Sequence, residues 1–169
     1  MNKPSLKPKL VKLELAKEDM KFSAGHFTVF SASERENLHG HNFRVAVEIE
    51  AEILDNGMCF DYGIYKRRLR ELCTQWDEIV ILPGLSPYLS IEEDDQHVYA
   101  LFAQERIPFL KRDVLVLPIA NATVEEFARL FLEKLIHDPA ELEQFKIHSV
   151  CVQVFSGPGQ SGSCSWKAE

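Results

Sequence analysis

From His41 to Ile53 the apolar residues fall on every second position: Phe43, Val45, Val47, Ile49, Ala51 and Ile53, with Arg44, Glu48, Glu50 and Glu52 between them. Successive side chains on a strand leave on opposite faces, so this pattern describes one long strand with a buried face and a wet face. It also fixes what must surround it, because a sheet with one apolar face needs a layer to cover that face. Two segments supply the cover. After Asp61, a candidate cap, Ile64, Tyr65, Leu69, Leu72 and Trp76 recur at helical spacing while Lys66, Arg67, Arg68 and Arg70 lie outside, which predicts an amphipathic helix ending near Asp77. Thr123-Val124-Glu125-Glu126 matches a capping box and opens a second helix through Val124, Phe127, Ala128, Phe131, Leu135 and Ile136, with Pro139 closing it.

The remaining strand signals are weaker. Leu10–Ala16 alternates, Met20–Phe30 mixes small and apolar residues, and Val150, Val152 and Val154 alternate before Gly157-Pro158-Gly159 and a small-residue tail. Tyr88–Ile119 reads as strand pieces broken at Glu92–Asp95 and Lys111–Asp113, hence a further hairpin inserted over residues 88–119. The expected order is ββα(ββ)αβ. The expected class is α+β, with two helices packed on one face of an antiparallel sheet in a single domain over residues 1–169, residues 1–9 forming a flexible arm.

Composition narrows the function classes. The 169 residues carry 19 Lys and Arg against 26 Asp and Glu, a net charge of −7, with no sustained basic run. That field disfavours a nucleic-acid backbone as partner. The longest apolar runs, such as Val114–Ala120, fall short of the ~20 residues of a membrane span, and the N-terminus has no apolar signal core. The expected compartment is the cytoplasm, where Cys59, Cys73, Cys151 and Cys164, which lack metal-type spacing, read as free thiols.

Three of the six histidines, His26, His39 and His41, crowd into sixteen residues. On a strand His39 and His41 point to the same side, Gly40 lets another backbone approach, and an antiparallel return brings His26 opposite the pair. Three neutral imidazoles with an open fourth position describe a catalytic zinc site, although imidazole suits several divalent metals and the same spacing fits solvated histidines on an exposed strand. Glu34 and Glu36 lie close enough in sequence to orient a ligand or to act as a base. His97, His137 and His148 stand alone and read as structural or solvated.

Phe22-Ser23-Ala24-Gly25-His26 followed by Leu38-His39-Gly40-His41-Asn42-Phe43 resembles the zinc-binding signature of the 6-pyruvoyl-tetrahydropterin synthase and 6-carboxytetrahydropterin synthase family. Gly57-Met58-Cys59-Phe60-Asp61-Tyr62-Gly63 is similar to the segment that opens that family's first helix. Asp77 with Val80–Pro83 resembles the stretch that closes it, Asn121–Ala128 resembles the start of the second, and Gly157-Pro158-Gly159-Gln160 resembles a terminal loop of archaeal-type members. The resemblance spans residues 10 to 166. It implies a tunnelling fold, a four-stranded antiparallel sheet with two helices, assembled as homotrimers or homohexamers with active sites between subunits. It also implies a lyase or synthase acting on a reduced pterin, with Zn2+ held by His26, His39 and His41.

The chain departs from the family pattern at three places. Arg35 stands where most members carry a cysteine. Glu36 then gives Glu-x-x-His-Gly-His, similar to a branch that cleaves the dihydroneopterin side chain, which makes Glu36 the candidate general base. Asp77 of the family's Asp-His relay is retained, but Glu78 replaces the histidine. Ser156 stands at the position of the glutamate that anchors the pterin, so Thr123, Glu125 and Ser156 are the candidate substrate contacts and the charge-assisted grip is lost. For a triphosphate substrate the nearest cations in sequence are Arg35 and Lys21. The alternative implied by these changes is a diverged member that binds zinc and a different heterocycle or carbonyl compound.

Overall fold

The computed structural model describes residues 9–169; of the arm expected at residues 1–9, all but Lys9 lies outside the described residues. The long alternating segment is β3 (His39–Glu52), preceded by β1 (Leu10–Leu15) and β2 (Lys21–His26), which both pair antiparallel along the same side of it. Helix α1 (Gly63–Gln75) follows, then β4 (Ile79–Pro83). The next segment contains β5 (Leu89–Glu93), β6 (His97–Phe102), β7 (Glu105–Leu110) and β8 (Val114–Leu117). Helices α2 (Val124–Leu135) and α3 (Pro139–Gln144) precede β9 (Ile147–Gly157) and β10 (Gln160–Lys167).

The main sheet runs β10-β9-β3-β2-β4-β8, with β1 also on β3, so it has seven strands rather than the expected four. Nor is it purely antiparallel. β4 joins β2 in parallel and β8 joins β4 in parallel. The sequence pattern hid β4 and β10 for physical reasons. β4, Ile-Val-Ile-Leu-Pro, has no alternation, as expected of a strand covered on both faces. From Ser161 to Ser165 β10 is built of Ser, Gly and Cys, and a Cβ on its Gly162 would come within 2.8 Å of the Glu125 backbone nitrogen, so the small residue lets α2 lie directly on the strand.

The inserted hairpin expected at residues 88–119 is instead a three-stranded antiparallel meander of β5, β6 and β7, after which β8 returns to the main sheet. Pro139 does not merely close the second helix. It occupies the first turn of α3, whose cap Asp138 accepts from the Ala140 and Glu141 amides. The capping box at α2 is half formed: Thr123 Oγ1 accepts from Glu126 N at 3.4 Å, while Glu126 turns to Arg129 instead of reaching back. At α1 the cap position is Tyr62, and Asp61 Oδ1 accepts from the Gly63 amide at 2.9 Å.

The inward face of β3, from Phe43 through Val45, Val47 and Ile49 to Ala51, packs with Val150, Val152 and Val154 of β9 against Tyr65 and Leu69 of α1 and Phe127 and Phe131 of α2. Phe22 stacks on Phe43 with ring centroids 4.9 Å apart and meets Trp76 edge-on at 5.4 Å, which carries the core to the end of β2 where the first histidine lies. A second apolar cluster joins Phe27, Val29 and Leu82 to Leu89, Val98, Ala100 and Phe102 beneath the inserted meander. No helix among the described residues is long and apolar enough to cross a membrane. All four cysteines are free, as their spacing predicts.

Candidate metal and catalytic site

Antiparallel pairing of β2 with β3 sets His26 directly opposite His39 and Ala24 opposite His41, so all three imidazoles leave the sheet on its helix-covered face at one end of the core. Their ring centroids are 4.7 Å (His26 to His39), 5.2 Å (His26 to His41) and 4.8 Å (His39 to His41) apart. One nitrogen from each can be chosen so that all lie within 4.8 Å of one another. A tetrahedral zinc with Zn–N near 2.0–2.1 Å holds its nitrogen ligands about 3.3 Å apart. His39 Nε2 and His41 Nε2, at 3.1 Å, already have that spacing.

Backbone carbonyls orient two of the rings. His26 Nδ1–H donates to the Ala122 carbonyl at 2.7 Å, and His39 Nδ1–H donates to the Asn37 carbonyl at 2.8 Å, which leaves each Nε2 as a bare lone pair. His26 Nε2 is buried and has no hydrogen-bond partner among the described residues. Burying an acceptor without a partner costs about 1–3 kcal/mol, a cost removed if a cation sits between the three rings. Burial is the main influence holding the His26 imidazole below its ordinary pKa; the Ala122 hydrogen bond opposes this, and the neighbouring His39 and His41 reinforce it. A neutral imidazole is the ligand form. The residues present therefore fit a divalent ion with three nitrogen ligands.

Glu36 lies on the loop between β2 and β3. Its Oε2 accepts from the Thr28 amide at 2.9 Å and its own amide donates to the Thr28 carbonyl at 2.9 Å. Partial burial pushes the carboxyl upward, but the hydrogen bonds from Thr28, with a lesser influence of the nearby His39 and His26, outweigh it, so the group is held below its ordinary pKa and is ionised near neutral pH. The loop is further pinned by Asn121, whose Oδ1 accepts from Val29 N at 3.0 Å and whose Nδ2 donates to the Val29 carbonyl at 2.8 Å. Asn121 and the Ala122 carbonyl are participants that sequence reasoning did not single out. The carbonyl leaves no trace in a sequence, and Asn121 lies only within the quoted segment at the start of the second helix.

The other candidates sit apart. Asp77 Oδ1 accepts from the Ser23 amide at 2.7 Å and the Glu78 amide donates to the Ser23 carbonyl at 2.7 Å, so both flank the edge of β2. Glu78 has φ of 55°, left-handed for a side-chain-bearing residue. Glu78 lines two clefts together with Ser23 and Asn42, whose side chains project on the face opposite the imidazoles, and Asp77 lines the second of them; the first, of about 460 Å³, is also lined by His41. Thr123 caps α2 next to Ala122, and Glu125 is exposed in the first turn of that helix. Ser156 is half-buried, one residue past the last β3–β9 pair, Arg44 with Phe155, and two after Val154, so it shares the face of the histidines. The close approach expected at Gly40 is not there, since a Cβ would meet the Ala24 carbonyl at an ordinary 3.5 Å. Arg35, named as a possible phosphate contact, already pairs with Glu105.

A family model described as 6-pyruvoyl tetrahydropterin synthase matches residues 14–163. A candidate 6-carboxy-5,6,7,8-tetrahydropterin synthase of Methanocaldococcus jannaschii is 28% identical over 146 residues, covering 86% of this chain and 88% of the relative. The 6-pyruvoyl tetrahydropterin synthase structure of Plasmodium falciparum superposes with a TM-score of 0.88 at 26% identity, covering 94% of this chain and 99% of that one. That of Plasmodium vivax gives 0.89 at 28% identity, covering 95% and 99%. Two further structures of the Plasmodium vivax protein carry substitutions of a glutamate described as a catalytic residue.

Proposed function

The chain belongs to the 6-pyruvoyl tetrahydropterin synthase family, and from that premise we propose that it is a zinc-dependent lyase that cleaves the side chain of a reduced pterin, dihydroneopterin or its triphosphate. The observation that carries this reading is the meeting of three imidazoles, one with a buried and unpartnered Nε2, beside an ionised glutamate held on the adjoining loop. His26, His39 and His41 hold the zinc. Bound there, it supplies Lewis-acid polarisation of substrate oxygens.

Glu36 takes the proton from a side-chain hydroxyl. The neighbouring carbon–carbon bond then breaks, the hydroxyl-bearing carbon leaves as a carbonyl, and the electron pair passes to the ring-bearing fragment, which a proton completes. The catalytic glutamate described for the Plasmodium vivax relative supports a carboxylate in this role. Asp77 and Glu78, which line a cleft with Ser23 and Asn42 of the sheet's reverse face, assist proton transfer in a neighbouring subunit's site, as a homotrimer or homohexamer requires. Thr123, Glu125 and Ser156 line the substrate side, and the compartment is the cytoplasm.

Incubation of the zinc-loaded protein with dihydroneopterin, its triphosphate and a carboxypterin precursor, with products identified by mass, tests the reading; a cleaved side chain is the expected result, and no product from any of them overturns it. The uncharged Ser156 at the pterin-anchor position favours one second reading, a family member that binds zinc and a different heterocycle or carbonyl compound.

A further inference from the structure

Arg35 occupies the position at which the family pattern has a thiol, yet its guanidinium is committed away from the imidazoles. Nη1 donates to the Glu36 carbonyl at 2.7 Å, and Nε donates to Glu105 Oε2 at 2.8 Å. The same group lies over the ring of Phe27 at 5.0 Å and over that of Phe102 at 5.9 Å, and its side chain is only 18% exposed. Phe27 and Phe102 belong to the apolar cluster that seats the β5–β7 meander on the loop after β2. Glu105 is the first residue after the two-residue turn joining β6 to β7, a turn tight enough to hold Ala103 at φ of 51°. One half-buried cation therefore bonds the backbone of Glu36 and the Glu105 carboxylate at the end of the inserted meander.

We propose that Arg35 is a positioning residue: it clamps the Glu36 loop onto the inserted meander, which serves as the rigid support for the general base. The proposal rests on Glu36 acting as that base. A carboxylate must stay within a fraction of an ångström of the proton it removes. The bonds of Thr28 to Glu36 and of Asn121 to Val29 hold the base of the loop, while its tip has short hairpin bonds from Phe30 and Ser31 to the Glu34 carbonyl and a bridge from Val29 to Arg35. Arg35 is thus the side chain that joins the Glu36 backbone to the meander. A guanidinium with a fixed fork of donors can hold a backbone carbonyl and a carboxylate at once, which a lysine cannot do with the same rigidity.

The test compares wild type, Arg35→Ala, Arg35→Lys and Glu105→Gln, each zinc-loaded, by residue-resolved amide hydrogen exchange and by steady-state kinetics. Expected for Arg35→Ala is exchange at the Thr28 and Glu36 amides faster by roughly tenfold or more, with α2 and β9 amides unchanged, because local opening and global unfolding separate in this measurement. Zinc content should be retained, kcat should fall by about tenfold or more, and KM should stay within about threefold. Glu105→Gln, at an exposed side chain that does not endanger folding, should show the same pattern in smaller degree, and Arg35→Lys should recover part of the loss. Unchanged exchange in the loop, a uniform rise across all amides, or faster loop exchange with kcat intact each overturns the proposal. Wild-type protein inert toward every pterin sinks the functional reading instead, and the exchange arm still decides whether Arg35 holds Glu36.

Discussion

His26 is asked to do two things by its surroundings: its Nδ1–H serves a backbone carbonyl, and its Nε2 is left bare in a buried place. Replacing His39 or His41 by Ala should abolish stoichiometric zinc while leaving far-ultraviolet circular dichroism and oligomer size close to wild type; metal analysis showing one zinc per chain in both variants would contradict the site. Glu36→Gln keeps the shape and loses the base. It should retain zinc and lose turnover by roughly 10²- to 10⁴-fold, the usual contribution of a positioned base, and full activity in single-turnover assays would remove Glu36 from the mechanism. The imidazoles were legible because a period of two and an antiparallel return bring His26 to His39. Asn121 was not, since its amide imitates a strand edge for Val29, 92 residues earlier, and nothing in local pattern encodes that distance.

At the scale of elements, α3 is joined to α1 by a polar triad at the rim of the core. Arg68 Nη2 donates to Glu141 Oε2 at 2.7 Å, and the Tyr65 hydroxyl donates to Glu141 Oε1 at 3.2 Å. The Arg68 guanidinium holds the Glu141 carboxyl below its usual range, with burial opposing it. A carboxyl whose folded pKa is depressed stabilises the fold above its unfolded value near 4.5 and loses that contribution as pH falls through the folded value. Glu141→Gln should therefore cost roughly 1.5–3 kcal/mol at pH 7, and urea titrations should show the gap to wild type closing as pH drops below about 4.5. Phe127→Ala, at a fully buried position on α2, should cost about 3–5 kcal/mol in the same measurement. The two longer helices were legible from apolar periodicity, and β3 from alternation. β8 was read as a strand piece but not its parallel place in the main sheet, and β4 and β10 were not read: the first is a short apolar run without alternation, and the second is rich in Ser with Gly162 set by what packs on it.

For the whole molecule, the arrangement of candidates on opposite faces of one sheet carries the quaternary prediction. Asp77 and Glu78 share a cleft with Ser23 and Asn42, whose side chains face away from the imidazoles, so a complete site needs a second chain if they take part. Neither His39→Ala nor Asp77→Asn should turn over pterin by itself, while subunits of the two variants mixed and reassembled should regain activity. Failure of the mixture, with exchange of subunits verified by mass, would confine the chemistry to a single chain. Residue types and spacing brought out the family and the clustering of His26, His39 and His41; the parallel pairing at the sheet's edge could not be read there, because it depends on contacts between distant segments.

The bond from His26 to the Ala122 carbonyl, immediately ahead of α2, would tie retention of an ion at the three imidazoles to the seating of that helix. Chelation and helix loosening are then two views of one equilibrium: a ligand bound only by the native fold raises the melting temperature in proportion to the logarithm of its concentration over Kd. Damage deep among the aromatic rings beneath α2 should consequently announce itself first as faster zinc loss to a competing chelator, well before the chain melts.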